Sequence, residues 1–216
     1  MSTLRPTTGR SVILDDIDWR TYTRLIRVFA GRPSVRLAFD RGRLEIMHPL
    51  PEHETAAYLL GRFIDVLTEE LALPVKAGRS TTFRRRRRQR GLEADNSYWI
   101  ANESKVRGKQ TIDLRMDPPP DLAIEVDLTH SSLDRMAIYA ALQVPEVWRL
   151  DEHGLSCHVL QSGQYQSSPW SQAFPRLAVA DLMPFLALRY REEDNGIVRQ
   201  FRAWVRQNLL AGQPEA

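Results

Sequence analysis

The chain has 216 residues, 43% of them hydrophobic and 26% charged, an ordinary balance for one soluble globular domain with a sizeable core. Thirty basic against 27 acidic side chains leave a net charge of +3, which does not by itself imply a nucleic-acid partner. Cys157 is the sole cysteine, which excludes an intrachain disulfide and a cysteine-built metal site.

No apolar run is long enough to span a membrane, and no signal-peptide pattern opens the chain, so a cytoplasmic location is expected. Residues 1–10 are polar, with Pro6 and Gly9, and read as a loosely ordered, flexible N-terminus before one domain over 11–216. Asp16 or Asp18 then precedes a helix in which Trp19, Tyr22, Leu25, Ile26 and Phe29 recur at helical spacing; Gly31 suits its stop. VRLAFD, Arg41-Gly42 and RLEIMH read as a β-hairpin whose turn type stays open. Pro51–Leu71 is the longest predicted helix, with Tyr58, Leu59, Phe63, Val66, Leu67 and Leu71 as its buried stripe. His53, in its first turn, is either a solvated histidine or, with Glu54, a group at the rim of a site.

Val75–Phe83 reads as one strand. The arginines Arg84, Arg85, Arg86, Arg87 and Arg88 follow without a break. Such a run cannot be buried and is a solvated loop, a phosphate clamp, or both, since guanidinium groups pair phosphates bidentately. Glu93–Ala101 reads as a strand with Glu93, Asp95, Ser97 and Trp99 on one face. Glu103–Arg115 is a polar connection with a short strand expected near Thr111–Leu114.

Three prolines then introduce DLAIEVD. Leu122, Ile124 and Val126 fall on one face; Asp121, Ala123, Glu125 and Asp127 fall on the other. That second face is either a solvated acidic surface or a set of carboxylates joined by a cation, because like charges so close repel and raise one another's pKa. A helix follows, capped by Ser131 or Ser132, with Leu133, Met136, Ala137, Tyr139 and Ala140 as its stripe. Val144-Pro145 ends it, and EVWRL is the next strand. Strand, helix and strand in that order predict two parallel strands. A hairpin turning at Ser162-Gly163, a short apolar helix around Phe185–Tyr190 and an amphipathic helix over Ile197–Leu210 complete the chain. The last of these docks on the body or on a partner subunit. Side by side, the strands of Asp95 and Glu125 could bring both carboxylates to one point, and such a pair plus waters is how Mg²⁺ is usually held.

PPDLAIEVDLT and DRMAIYAALQVPEVWRLD resemble the signature of the Uma2, or DUF820, family. That family belongs to the PD-(D/E)xK, or restriction-endonuclease-like, superfamily. GLEADNSYWI, Gly91–Ile100, is similar to the family's second mark, an acidic Pro-Asp strand followed by an aromatic. The resemblance covers roughly Val35–Asp151. It implies an α/β fold with a central mixed β-sheet flanked by helices, here with extra N- and C-terminal helices. It also implies a metal-binding Asp and Glu and a nearby lysine that orients water or stabilises the transition state. Asp95 matches the first position, with Ala94 where the family usually has proline, and Glu125 matches the second. Asp127 stands where the lysine follows in many relatives. Uma2-like proteins often carry that lysine on the next helix, four residues before a tyrosine, and there this chain has Arg135, before Tyr139.

An arginine cannot serve as a base, but it keeps its charge. Its bland role is a helix-surface residue paired to Asp134 or Glu146; alternatively Asp127 pairs with it. Asp121 is a further candidate metal ligand, or a cap on its strand, and Glu93 is secondary. The resemblance thus implies an Mg²⁺- or Mn²⁺-dependent endonuclease acting on DNA, possible as a homodimer. The alternatives are a degenerate member that binds nucleic acid or protein without cutting, and a hydrolase of a small substrate.

Overall fold

A computed structural model of the chain describes residues 4–6, 11–32, 34–79, 81–128 and 133–210. Strands and helices are numbered along the chain. Two six-stranded sheets carry the architecture. The first joins β1 (Leu4–Pro6), β2 (Ser11–Leu14), β4 (Arg43–Met47), β3 (Arg36–Asp40), β7 (Arg90–Glu93) and β6 (Thr82–Arg85), in that order, all antiparallel. β1 lies inside the segment expected to be loosely ordered. The second sheet runs β12 (Gln164–Ser168), β11 (Gly154–Gln161), β10 (Glu146–Asp151), β9 (Leu122–Val126), β8 (Asn96–Trp99) and β5 (Lys76–Ala77). It is mixed: β9 and β10 are parallel, joined through α4 (Arg135–Leu142), as strand-helix-strand order requires. The α/β class and the helix-flanked mixed sheet agree with the sequence; the wholly antiparallel first sheet is an addition to it.

Two segments expected as single strands are each divided between the sheets. Val75–Phe83 becomes β5 and β6, broken at Gly78 and at Arg79, whose φ is +48°. A Cβ on Gly78 would lie 2.5 Å from Ser97 Oγ and 2.6 Å from the Trp99 ring, so only glycine lets the chain pass there. Glu93–Ala101 becomes the end of β7 and all of β8, with Ala94-Asp95 as the crossing between sheets. Thr111–Leu114 is turn and coil rather than strand, and a short helix, α3 (Glu103–Val106), precedes it. Arg41 and Gly42 both have positive φ, 45° and 95°, as a two-residue type I′ hairpin turn demands.

α1 (Trp19–Phe29) is capped by Asp18 and covers the first sheet, where Tyr22 stacks on Phe39 at 4.6 Å. α2 (Pro51–Glu70) buries Leu59, Leu60, Phe63, Ile64 and Leu67 against Leu122, Ile124 and Val126. α5 (Met183–Ala187) and α6 (Asp194–Val205) complete that core. α6 docks on α2 through Ile197, Phe201 and Val205, and Arg202 and Arg206 bridge to Glu70, so its apolar face is covered within the chain rather than by a partner. Among the described residues no helix is long and apolar enough to cross a membrane.

Candidate active site

β9 is buried on both faces. Leu122, Ile124 and Val126 enter the core beneath α2, and Ala123 enters a second core with Ile138, Tyr139 and Leu142 of α4. Glu125 shares the face of Ala123 and is therefore driven inside, at 2% exposure. It is no solvated acidic surface. An isolated carboxylate there would be very costly, so partners are required.

They come from α4. The buried positions are Arg135, Ile138, Tyr139 and Leu142, spaced i, i+3, i+4, i+7. This is one face removed from the expected stripe; Met136, Ala137 and Ala140 are only half-buried. Ser131 and Ser132, the expected caps, lie outside the described residues; Asp134 Oδ1 accepts from Ala137 N at 2.9 Å instead. Arg135 Nη2 donates to Glu125 Oε2 at 3.1 Å and to the Glu93 carbonyl at 2.9 Å. Its Nε meets Glu125 Oε1 as a close ion pair, off the direction of a hydrogen bond. Tyr139 OH donates to Glu125 Oε2 at 2.7 Å. Arg135 is thus a buried partner of Glu125, not a surface arginine.

Asp95 occupies the crossing between the sheets. Val126 N donates to its Oδ2 at 2.8 Å, which ties the crossing to β9. His53 Nε2, from the first turn of α2, lies 3.3 Å from the same oxygen without hydrogen-bond alignment. At 2% exposure His53 is neither solvated nor at a rim. Glu54 turns away to Arg36, at 3.5 Å. Two of the sequence-derived catalytic residues, Asp95 and Glu125, are brought together with the third, Arg135. Asp121 is not: its carboxylate accepts from Ile100 N and Asn102 N at 2.7 and 2.9 Å and anchors the loop after β8. Glu93 accepts from Thr82 Oγ1 at 2.9 Å. Asp127 pairs with Arg149 at 2.7 Å.

The electrostatics follow from burial. Desolvation lifts Glu125, Arg135 opposes that and the Asp95 charge adds to it, and the carboxyl is left at about 7. Burial also pushes Asp95 upward, but His53, Arg135 and the Val126 N–H outweigh it and hold the group below the usual carboxylate range. Burial pulls His53 down, yet the carboxylates of Asp95, Glu125 and Glu54 together keep it above an ordinary imidazole. Tyr139 is held well above a free phenol by burial and by Glu125. Two carboxyls with opposite shifts at one point are a common mark of a functional centre.

A cleft of about 340 Å³ reaches Glu125 and Arg135 of this cluster and is lined besides by Leu133, Met136, Asp134, Asp127 and Arg149. The arginine run begins on β6, with Arg84 and Arg85, and continues through the tip that joins β6 to β7, with Arg86, Arg87 and Arg88. Arg84, Arg86, Arg87 and Arg88 are exposed, but Arg85 is half-buried with its Nε inside, so the run is not wholly a solvated loop. Arg90 fixes the tip to the site's helix: its Nε donates to Asp40 at 2.7 Å and its Nη1 to the Ala137 carbonyl at 2.9 Å.

Asp95 Oδ1 is buried and has no hydrogen-bond partner, the state of an oxygen shaped for a cation or a water. Glu125 has its Oε2 taken by Tyr139 and Arg135, while Oε1 meets only the Arg135 Nε. A carboxylate offers about four lone-pair positions, so Oε1 retains acceptor capacity. In donor chemistry, two carboxylates suit Mg²⁺ or Mn²⁺, which take one or two protein carboxylates and complete an octahedron from water and phosphate. Among the described residues no group of three or more His, Cys, Asp or Glu side chains is arranged to hold a metal, so two protein ligands are the limit of the fit.

Tyr139 is the member of this cluster that the sequence does not offer as a site residue, and His53, offered with Glu54 at a rim, is instead buried inside it. For Tyr139 the signal was present, four residues beyond Arg135 on one helix face. For His53 burial comes from the crossing at Asp95, which no local pattern announces.

Comparison with known proteins supplies a family. The model of the Uma2 family, described as "Putative restriction endonuclease", matches residues 19–190. A crystal structure of a "putative nuclease belonging to DUF820" from Anabaena variabilis aligns at a TM-score of 0.46 and 12% identity, covering 79% of this chain and 92% of that one. No curated protein is similar enough to match.

Proposed function

The chain belongs to the Uma2 family, and from that premise we propose that it is a metal-dependent endonuclease that hydrolyses phosphodiester bonds in DNA. The observation that carries the reading is the buried pair of Asp95 and Glu125, near enough that the Asp95 charge raises Glu125, with an unpartnered oxygen on Asp95 and a cleft lined by Glu125. Residues 11–216 are read as one Uma2-like domain.

Asp95 and Glu125 would hold Mg²⁺ or Mn²⁺. Bound there, such an ion lowers the pKa of a water and neutralises charge on the phosphate. The chain's own groups do the rest. Val126 N–H and His53 hold the Asp95 carboxylate in place. Tyr139 OH fixes one oxygen of Glu125. Arg135 stays protonated throughout, so it takes no proton; it orients Glu125 and places a fixed positive charge beside the phosphate. Glu125, at about 7, shares a proton with solvent near neutrality unless a second cation draws it down. Arg84, Arg85, Arg86, Arg87 and Arg88 supply phosphate contacts that position the backbone without reading sequence.

The test is cleavage of supercoiled plasmid and of short single- and double-stranded oligonucleotides with Mg²⁺ or Mn²⁺, wild type beside Glu125→Ala. Cleavage that disappears in the variant supports the reading. Equal cleavage by both proteins, or none by either, overturns it. The second reading, a degenerate member that binds nucleic acid without cutting, is favoured by the arginine that already meets both oxygens of Glu125. It predicts binding that survives Glu125→Ala and needs no metal.

A further inference from the structure

A second cleft adjoins the first. It holds about 570 Å³ and shares Asp134 and Met136 with the cleft over Glu125. Arg88 and Arg90 form one wall, Gln164 and Tyr165 of β12 the other, and Ala140 and Ala141 of α4 the floor. We propose that this cleft seats a single nucleic-acid strand leading away from the phosphate at Glu125, with a phosphate on Arg88 and a base against Tyr165 and Gln164. The inference rests on the nuclease reading of the adjoining site.

Each wall contributes differently. Arg90 is committed to Asp40 and to the Ala137 carbonyl, so it sets the position of the tip. Arg88 is exposed, and among the described residues it forms no ion pair. Its charge, with Arg86 and Arg87 beside it, is available to an anion from outside. Tyr165 OH donates to the Val144 carbonyl at 2.7 Å, which holds the ring still. A ring fixed beforehand loses little freedom when a base stacks on it. Gln164 is exposed and offers both a donor and an acceptor to a base edge. The alanine floor lets a strand lie close to α4. The carboxylate of Asp134, between the clefts, is engaged in capping α4.

The occupant is a single strand rather than a duplex. A basic groove flanked by an aromatic is how unpaired strands are held. The cleft is of the size that takes a small ligand, roughly 300–1,000 Å³. A duplex, whose major groove alone is about 12 Å wide, cannot enter it.

The experiment is fluorescence anisotropy of the full chain with labelled oligothymidine and with a duplex of equal length, in chelator at low salt. Arg88→Glu, Gln164→Glu and Arg24→Glu are compared with wild type; Arg24 is exposed on α1 and lines neither cleft. The expected result is tighter binding of the single strand, a loss of about tenfold in the first two variants, and little change in the third. Tighter duplex binding overturns the proposal, and so does single-strand binding that the two cleft variants leave intact. The readout needs no cleavage. A protein that binds through the cleft and never cuts refutes the nuclease reading alone; one that cuts, with binding indifferent to the cleft variants, refutes this inference alone.

Discussion

Val126 N–H donates to Asp95 Oδ2 at 2.8 Å, so the residue that follows Glu125 in β9 holds the carboxylate opposite it. One oxygen of Asp95 is therefore structural and the other, Oδ1, is free. Asp95→Asn can keep the acceptor for Val126 while removing the charge. Its melting temperature in chelator is expected to fall somewhat, because the charge that His53 and Arg135 favour is lost. Millimolar Mn²⁺ should raise the melting temperature of wild type and leave that of Asp95→Asn unmoved. At a hundredfold excess over the dissociation constant the stabilisation is about 2.7 kcal/mol. A Mn²⁺-dependent rise of equal size in both proteins would remove Asp95 from the ligand set.

Arg135 gives a second outcome. It is 5% exposed and neutralises a carboxylate that is 2% exposed. Arg135→Ala leaves Glu125 buried and unpaired, and loss of one partner of a buried pair costs about 3–5 kcal/mol. The double variant Arg135→Ala, Glu125→Ala should recover part of that loss, because the orphaned charge goes with it. Urea unfolding of the four proteins checks the cycle. An Arg135→Ala protein as stable as wild type would mean that Glu125 is neutral in the folded state.

The visibility of this centre in the sequence was uneven, for reasons that can be traced residue by residue. Glu125 is legible because it alternates with Asp121 and Asp127 on one strand face, and Asp95 because it alternates with Glu93. The division of Glu93–Ala101 between two sheets did not stand out: Ala94 continues the alternation where a proline would have marked a break. For Arg135 the sequence leaves a surface role and a site role both open, because its helix carries apolar residues on more than one face, and Met136 and Ala137 compete with Ile138 and Leu142 for the stripe. The deciding clue, an arginine at i with Tyr139 at i+4, has meaning only opposite a buried acid. Asp121 looked like a ligand because it shares a strand face with Glu125. Its fate was decided by the loop at Ile100–Asn102, whose N–H groups needed an acceptor.

The arginine tip makes a third prediction. Arg86 and Arg87 are exposed and line neither cleft, so on the proposed function they would act through long-range attraction and direct pairing with phosphates alone. Replacing both with glutamine should weaken single-strand and duplex DNA alike, without changing which is preferred. For every phosphate left without its arginine, the salt dependence of log K flattens by about 0.7 for a single strand and about 0.9 for a duplex. Anisotropy titrations across a salt series measure that slope. A slope unchanged from wild type would leave these arginines a solvated turn.

The pH dependence of stability supplies the last. In metal-free protein Glu125 is raised to about 7 from 4.5, so between those values the folded chain holds a proton that the unfolded chain has lost. More protons on the folded side means that stability falls as pH rises, and the full cost is present above about 7. His53 acts in the same direction: its folded pKa is raised, so its contribution is complete below its usual 6.5 and is lost as pH climbs through the folded value. Asp95 acts oppositely: its folded pKa is lowered, so its contribution is present above 3.8 and is lost only in acid. Stability in chelator should therefore peak in mildly acidic solution and decline toward pH 8. Glu125→Gln removes the part of that decline that sets in above 4.5, and His53→Gln removes the part that sets in above 6.5. Thermal unfolding from pH 5 to 8.5 decides the matter. A wild-type melting temperature that rises steadily over that range would show that Glu125 is ionised in the folded chain with its charge fully met by Arg135 and Tyr139.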